Sequence, residues 1–302
     1  RLAAANIDKP PGRLTYTQLC NERGGIECDL TIARLEDERF YIVTGTAFGG
    51  HDLSWIRENL DSASPVRLAD ITDSRAVINV CGPRSRELLE SVCDDALDNE
   101  TFPFGACLPI EIAGARVLAL RVTYVGELGW ELHMPMEAAP EIYDLLMENG
   151  KGLGVRNAGY RAIESCRLEK GYRYWSTDLT ADYTPWEAGL GFCVALNKDD
   201  FIGRETLAEA KEQGITRKLS CFTLEEYRPL NGGETISRGG EVLGVLTSGG
   251  YGYTVGQSIA YGYIPSELTS ETDFEIEVMG EPVQAIRRDG ALYDKKRERI
   301  LS

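Results

Sequence analysis

Apolar positions along the chain fall into two kinds of spacing. Runs rich in β-branched and aromatic residues occur at 40–43 (Phe-Tyr-Ile-Val), 76–80 (Ala-Val-Ile-Asn-Val) and 116–122 (Arg-Val-Leu-Ala-Leu-Arg-Val), and these predict strands. Between them lie helical patterns. One covers 52–60. A second, 83–89, follows the Gly82-Pro83 turn, with proline near the first helical position. A third, 138–148, puts Ile142, Leu145 and Leu146 on one face. Residues 160–168 and 205–212 predict two more. This mixture predicts an α+β fold.

The pattern changes after about residue 215. From Arg217 onward short strands recur at 218–224, 241–247, 257–263 and 274–279, separated by glycine-rich stretches that read as turns, Asn231-Gly232-Gly233 and Gly249-Gly250. The expectation is a first region over 1–215 and a small all-β domain, a barrel or sandwich, over 216–302. The charged tail 294–299 is expected to be solvated. No internal repeat or low-complexity tract is present.

Composition narrows the chemistry. A chain of 302 residues, 43% hydrophobic, can bury a large core in two or three domains. Its formal net charge of -16 argues against nucleic acid and anionic membranes as partners, though a local cluster of Arg or Lys would still accept an anionic small molecule. No apolar run reaches the length of a membrane span, and no signal peptide is evident. The eight cysteines form no CxxC pair, and their scatter predicts buried thiols in a reducing compartment. Only two histidines are present, His51 and His133, without ligand spacing, so no metal site and no histidine-dependent nucleophile relay is predicted. The chemistry must rest on carboxylates, Arg, Tyr and backbone.

Two acids stand in segments that otherwise look ready for burial. In "NERGGIECDLTI" (21–32), Asp29 lies between a Gly24-Gly25 turn and a strand start; it is either a working carboxylate or an Asp closing the turn. Glu131, between Trp130 and Leu132, is either a paired acid in an apolar strand or a residue on its wet face.

Six ordered stretches resemble one family: "LTYTQLCNERGGIECDL" (14–30), "VTYVGELGWELHMP" (122–135), "ESCRLEKGYRYW" (164–175), "TPWEAGLGF" (184–192), "DFIGRETL" (200–207) and "GVLTSGGYGYTVGQSIAYGYIP" (244–265). Together they resemble the aminomethyltransferase superfamily, the folate-binding T-protein of glycine cleavage and its relatives. The nearest likeness is to the folate domain fused to the C-terminal side of flavin-dependent sarcosine and dimethylglycine dehydrogenases. The resemblance spans nearly the whole chain. It implies an α+β folate-binding region of antiparallel sheets with helices, followed by a small C-terminal β-barrel.

The resemblance also implies roles. Tetrahydrofolate is the cofactor, and a one-carbon unit, arriving as an iminium or at the formaldehyde level from oxidation of an N-methyl amine, leaves as 5,10-methylenetetrahydrofolate. Asp29 is the catalytic acid beside the reactive folate nitrogens, where a carboxylate holds or relays a proton and stabilises developing positive charge. Glu131 binds the pterin, because one carboxylate accepts its amino group and ring N–H together. Arg167 orders neighbouring acids or contacts folate; read locally, it is a helix-surface ion pair with Glu164 or Glu169. Tyr16 and Tyr124 line the cavity, or are core. The loop 247–251 closes over the cavity. Arg287 and Arg288 screen the folate glutamate tail, or form a solvated pair.

The likeness has two departures. The family pattern has two adjacent acids after the Gly-Gly turn, and here Cys28 replaces the first. The family's domain also begins some tens of residues earlier, so the chain is expected to be a piece of something longer, with FAD in a domain preceding Arg1. The rival readings are a non-catalytic regulatory module, as in the pyruvate dehydrogenase phosphatase regulatory subunit, and a glycine-cleavage T-protein acting on a lipoyl-bound aminomethyl group. The folate factor for tRNA modification and a sulfonium methyltransferase rank lower. Bacterial cytoplasm and mitochondrial matrix both suit reduced cysteines.

Overall fold

The computed structural model describes residues 1–61 and 63–302. In chain order its strands and helices are β1 (Arg13–Cys20), β2 (Ile26–Glu36), β3 (Arg39–Thr44), α1 (Gly49–Asn59), β4 (Arg75–Cys81), α2 (Ser85–Glu90), β5 (Cys107–Ile112), β6 (Ala115–Leu120), β7 (Gly129–Pro135), α3 (Ala139–Asn149), α4 (Tyr160–Lys170) and α5 (Arg204–Gln213). The second half then runs β8 (Arg217–Leu224), β9 (Thr235–Arg238), β10 (Glu241–Gly252), β11 (Gln257–Pro265), β12 (Asp273–Val278) and β13 (Glu281–Arg288). Strands β1, β2 and β3 form a sheet in that order; β4-β7-β6-β5 form a second; β10-β11-β8-β13-β12-β9 close into a barrel. The fold is α+β with a C-terminal barrel: the spacing of apolar residues predicts α+β followed by a barrel or sandwich, and the family resemblance implies the barrel.

Two compact units share these elements. The first comprises Arg1–Asn6, Tyr16–Leu30 and Tyr160–Lys295; the second comprises Ile7–Thr15, Thr31–Gly159 and Lys296–Ser302. The chain thus contributes three segments to the first unit, and the short passage Tyr16–Leu30 carries the β1–β2 turn into it.

In the second unit the four-stranded sheet packs α2 and α3 against one face. Alternation along β7 decides this: Trp130, Leu132 and Met134 are fully buried with Val117 and Ala119 of β6 and Ile142 and Leu146 of α3. In the first unit, Phe222, Leu224, Ile236, Leu246, Phe274 and Ile276 fill the barrel. On the barrel's flank, Leu168 of α4 packs with Leu219, Ile259, Tyr261 and Tyr263.

Three local expectations are corrected. The stretch 247–251 is not a loop, and Gly249-Gly250 is not a turn; both lie inside β10, which carries a register shift between Leu246 and Ser248. The glycines serve close packing there. A Cβ on Gly249 would come within 2.6 Å of the Leu230 side chain, and one on Gly250 within 2.8 Å of Leu168. Arg287 and Arg288 are not a solvated pair. Both are mostly buried on β13, where Arg287 Nε donates to the Glu271 carbonyl at 3.0 Å and Arg288 Nε donates to Thr223 Oγ1 at 2.9 Å. The tail is solvated only from Lys295 to Arg299. Asp294 is buried in an ion pair with Lys170 at 2.8 Å, each side chain 4% exposed.

Candidate functional site

Asp29 lies on β2 in the first unit, where alternation buries Ile26, Cys28 and Leu30 and turns Glu27 and Asp29 to the other side. The turn before it is shaped by Gly25. A Cβ there would sit 1.9 Å from the Ala181 carbonyl oxygen, so only glycine fits without moving backbone. Asn21 completes the turn by accepting from the Arg23 and Gly25 N–H groups, each at 3.0 Å. Asp29 therefore does not close the turn; its carboxylate faces β1.

Two side chains of β1 meet that carboxylate. Gln18 Nε2 donates to Asp29 Oδ1 at 2.8 Å. The Tyr16 phenol hydrogen-bonds Asp29 as well; burial first, and then the carboxylate's charge, hold the phenol well above its ordinary range, so it stays protonated and donates. Cys193 approaches the same acid. Burial and Asp29 push its thiol up to about 12, so it is an inert neutral neighbour. Phe192, largely exposed, lies with its ring centroid 6.4 Å from that of Tyr16. The result is a partly buried carboxylate fixed by two donors.

Arg167, on α4 in the first unit, is the centre of a different network. Its side chain is 2% exposed, and that of Asp178 is 1% exposed. Nη1 donates to Asp178 Oδ2 at 2.8 Å and to the Tyr172 carbonyl at 3.2 Å. Nη2 donates to Ser248 Oγ at 2.9 Å, and Nε donates to Glu164 Oε1 at 3.0 Å. Asp178 also accepts from Ser248 Oγ at 2.7 Å, from Thr247 Oγ1 and from the Tyr174 N–H at 2.9 Å. The ion pair with Glu164 is present, but it is part-buried, with the Arg167 end almost wholly out of water. The network orders neighbouring acids and ties α4 to β10.

In the second unit, Glu131 pairs across β7 with Asn79 of β4 and Leu120 of β6. Its side chain is 23% exposed between fully buried Trp130 and Leu132. His133, two residues on and on the same face, brings Nε2 to 3.5 Å from Glu131 Oε2. The other ring nitrogen, Nδ1, lies 3.0 Å from the Tyr41 hydroxyl. Burial raises the Tyr41 phenol, so it keeps its proton, and the His133 ring bridges the Tyr41 hydroxyl and the Glu131 carboxylate. Tyr124 lies in the bend before β7, half-buried.

Tyr16 and Asp29 are thus brought into contact, Arg167 organises its own cluster, and Glu131 and Tyr124 belong to the second unit. Sequence reasoning missed Gln18, Asp178, Cys193 and His133. Two of these carried a signal: Gln18 is two residues from Tyr16 and His133 two from Glu131, which on a strand means a shared face.

An α+β region with a carboxylate fixed behind a Gly-Gly turn, followed by a closed six-stranded barrel, defines an aminomethyltransferase-type protein. Residues 1–198 match the GCVT N-terminal domain, and residues 217–294 match the glycine cleavage T-protein C-terminal barrel domain. The chain belongs to the glycine cleavage T-protein family. It is 38% identical over 322 residues to mitochondrial sarcosine dehydrogenase of Homo sapiens, covering 99% of this chain and 35% of that protein. It is 35% identical over 256 residues to aminomethyltransferase of Halothermothrix orenii, covering 84% of this chain and 70% of that protein. The crystal structure of glycine cleavage system aminomethyltransferase T from Bartonella henselae shares the fold, with a TM-score of 0.85 at 24% identity over 97% of this chain and 80% of that one. The chain spans about a third of the length of the sarcosine dehydrogenase it matches. Among the described residues no helix is long and apolar enough to cross a membrane.

Proposed function

We propose that this chain is a tetrahydrofolate-dependent one-carbon transfer domain, serving an N-methyl amine dehydrogenase of the sarcosine or dimethylglycine type. FAD would belong to a preceding domain. The observation that carries this reading is Asp29: an acid on the family's motif, held by the Tyr16 and Gln18 donors rather than spent on its own turn.

The residues suit a reduced folate. Glu131 keeps a partly open carboxylate between two buried neighbours, and a carboxylate accepts the adjacent amino and ring N–H donors that a pterin presents. His133 limits the rotation of that carboxylate from one side. Tyr16 and Tyr124, each within its own unit, carry an aromatic body with a polar tip, the kind of side chain that suits a flat ring or an amide linker. When bound, tetrahydrofolate supplies the nitrogens that accept a formaldehyde-level carbon. The protein's share is electrostatic and positional. Asp29, held by two donors, takes or holds the proton an amine loses and stabilises positive charge next to it. Arg167 sets the frame by locking α4 to β10. A mitochondrial or bacterial cytoplasmic setting suits this chemistry.

The test is calorimetry with tetrahydrofolate on the full-length protein and on Glu131→Ala. Affinity should fall by more than about tenfold, because the ligand's paired donors are left without an acceptor. With sarcosine as donor, Asp29→Asn should lose capture of the carbon on folate while keeping most of the affinity. Folate binding that is absent from the wild type would favour the regulatory reading; folate capture untouched by Asp29→Asn would make Asp29 structural.

A further inference from the structure

Gln18 is an odd residue to find where it is. It sits in the middle of β1 with no solvent exposure, in a run where Thr17, Leu19 and Cys20 are also buried. Its Nε2 gives Asp29 Oδ1 a hydrogen bond at 2.8 Å, and the same amide reaches the Cys193 thiol. Its carbonyl oxygen, Oε1, is buried and has no hydrogen-bond partner among the described residues. Turning the amide over would not help. That would set a carbonyl oxygen against a carboxylate oxygen and leave two acceptors facing each other.

A buried amide with one orphaned end is a poor choice for stability. Methionine fills nearly the same volume, needs no partner, and would remove the desolvation cost of Oε1. What methionine cannot do is donate to Asp29. The hydrogen bond that methionine could not replace, the one to Asp29, therefore identifies the purpose of Gln18.

We propose that Gln18 is the positioning residue of Asp29: its amide N–H fixes the carboxylate oxygen and favours the ionised form, at the expense of core stability. The other groups around the acid leave this task to it. Tyr16, also on β1, donates once to the carboxylate. Cys193 is a neutral thiol, and Arg173 acts electrostatically on Tyr16. Among these groups, only Gln18 combines full burial with a fixed N–H on Oδ1. The catalytic meaning of this arrangement rests on the reading of Asp29 given above; the arrangement itself does not.

The experiment uses the chain without folate, so its outcome is independent of whether folate binds. The Asp side chains are labelled with carboxyl 13C, the Asp29 resonance is assigned by its loss in Asp29→Asn, and its titration is followed in wild type and Gln18→Met. The midpoint in Gln18→Met should rise by about one pH unit, the effect of removing one hydrogen bond to an ionised group. Thermal melting of Gln18→Met should be unchanged or higher. An unmoved midpoint overturns the proposal. So does a lowered melting temperature or a failure to fold, since either would mean that the amide serves packing. A loss of folate binding with the midpoint shifted as expected would count against the proposed function and leave this inference intact.

Discussion

Replacing Arg167 with methionine isolates the largest buried charge pair in the first unit. The guanidinium and the Asp178 carboxylate are both almost wholly out of water and 2.8 Å apart. Removing the cation leaves Asp178 buried without its charged partner, with the Tyr174 N–H and the Thr247 and Ser248 hydroxyls as its remaining donors. Breaking a buried pair costs about 3–5 kcal/mol; three neutral donors stay behind, so the low end, about 3 kcal/mol, is expected. The double variant Arg167→Met/Asp178→Leu removes the stranded carboxyl group but orphans those donors. It should recover only part of the loss, giving a coupling energy of about 2 kcal/mol. Amide exchange of α4 and β10 is the right assay, because these elements are joined through Ser248 and report the first unit alone. A single variant whose exchange protection falls by less than about 1 kcal/mol would refute the reasoning and make Asp178 a carboxylate satisfied by dipoles alone.

Other consequences are as easily measured. Gly25→Ala should destabilise strongly, by more than about 2 kcal/mol in urea unfolding, since the Ala181 carbonyl would have to move, whereas Gly50→Ala in α1 meets open space and should stabilise by about 0.5–1 kcal/mol. Equal effects would show that the turn relaxes. The buried thiols predict an alkaline limb. Burial first of all raises Cys20 and Cys193 to about 12 and Cys107 and Cys221 to about 11, from an ordinary 9.0. The folded state then holds these protons more tightly than the unfolded one. Their contribution is complete below about pH 9 and is lost as pH rises toward 11–12, so urea midpoints should fall between pH 8 and pH 10; a flat midpoint would contradict the burial of these thiols. Finally, His133→Phe keeps a ring under Tyr41 but takes the ring nitrogen away from Glu131, and should weaken tetrahydrofolate binding about fivefold in calorimetry. Unchanged affinity would mean that Glu131 orients itself.

What the sequence disclosed and what it withheld divide along a physical line. Contacts made along a strand or helix repeat with a period, so the core faces of β7 and α3 were legible, and Gln18 and His133 could have been found by counting two residues from Tyr16 and Glu131. The rest of the candidate site is made across the chain. Nothing near residue 178 marks that Asp as the partner of Arg167, 11 positions away, or of Ser248, 70 positions away. Lys170 and Asp294 meet over 124 positions, which is why the tail read as solvated. The Gly249-Gly250 error has a different origin. Glycine marks both turns and places where backbone must come close to another group, and only the neighbours, here Leu230 and Leu168, say which.

Asp29 brings both kinds of contact into one residue. Its place behind a Gly-Gly turn is local and was readable; the reason the carboxylate is not consumed by that turn is distant. Asn21 already serves the turn N–H groups, and the close approach of Ala181 leaves no room for any side chain but glycine at position 25. With the turn N–H groups served by Asn21, the acid is open to Gln18 and Tyr16. A carboxylate released from local work in this way, and held by an amide whose other end is buried without a partner, is placed for chemistry rather than for folding. That is why the variant that tests its partner should separate acid strength from stability instead of lowering both.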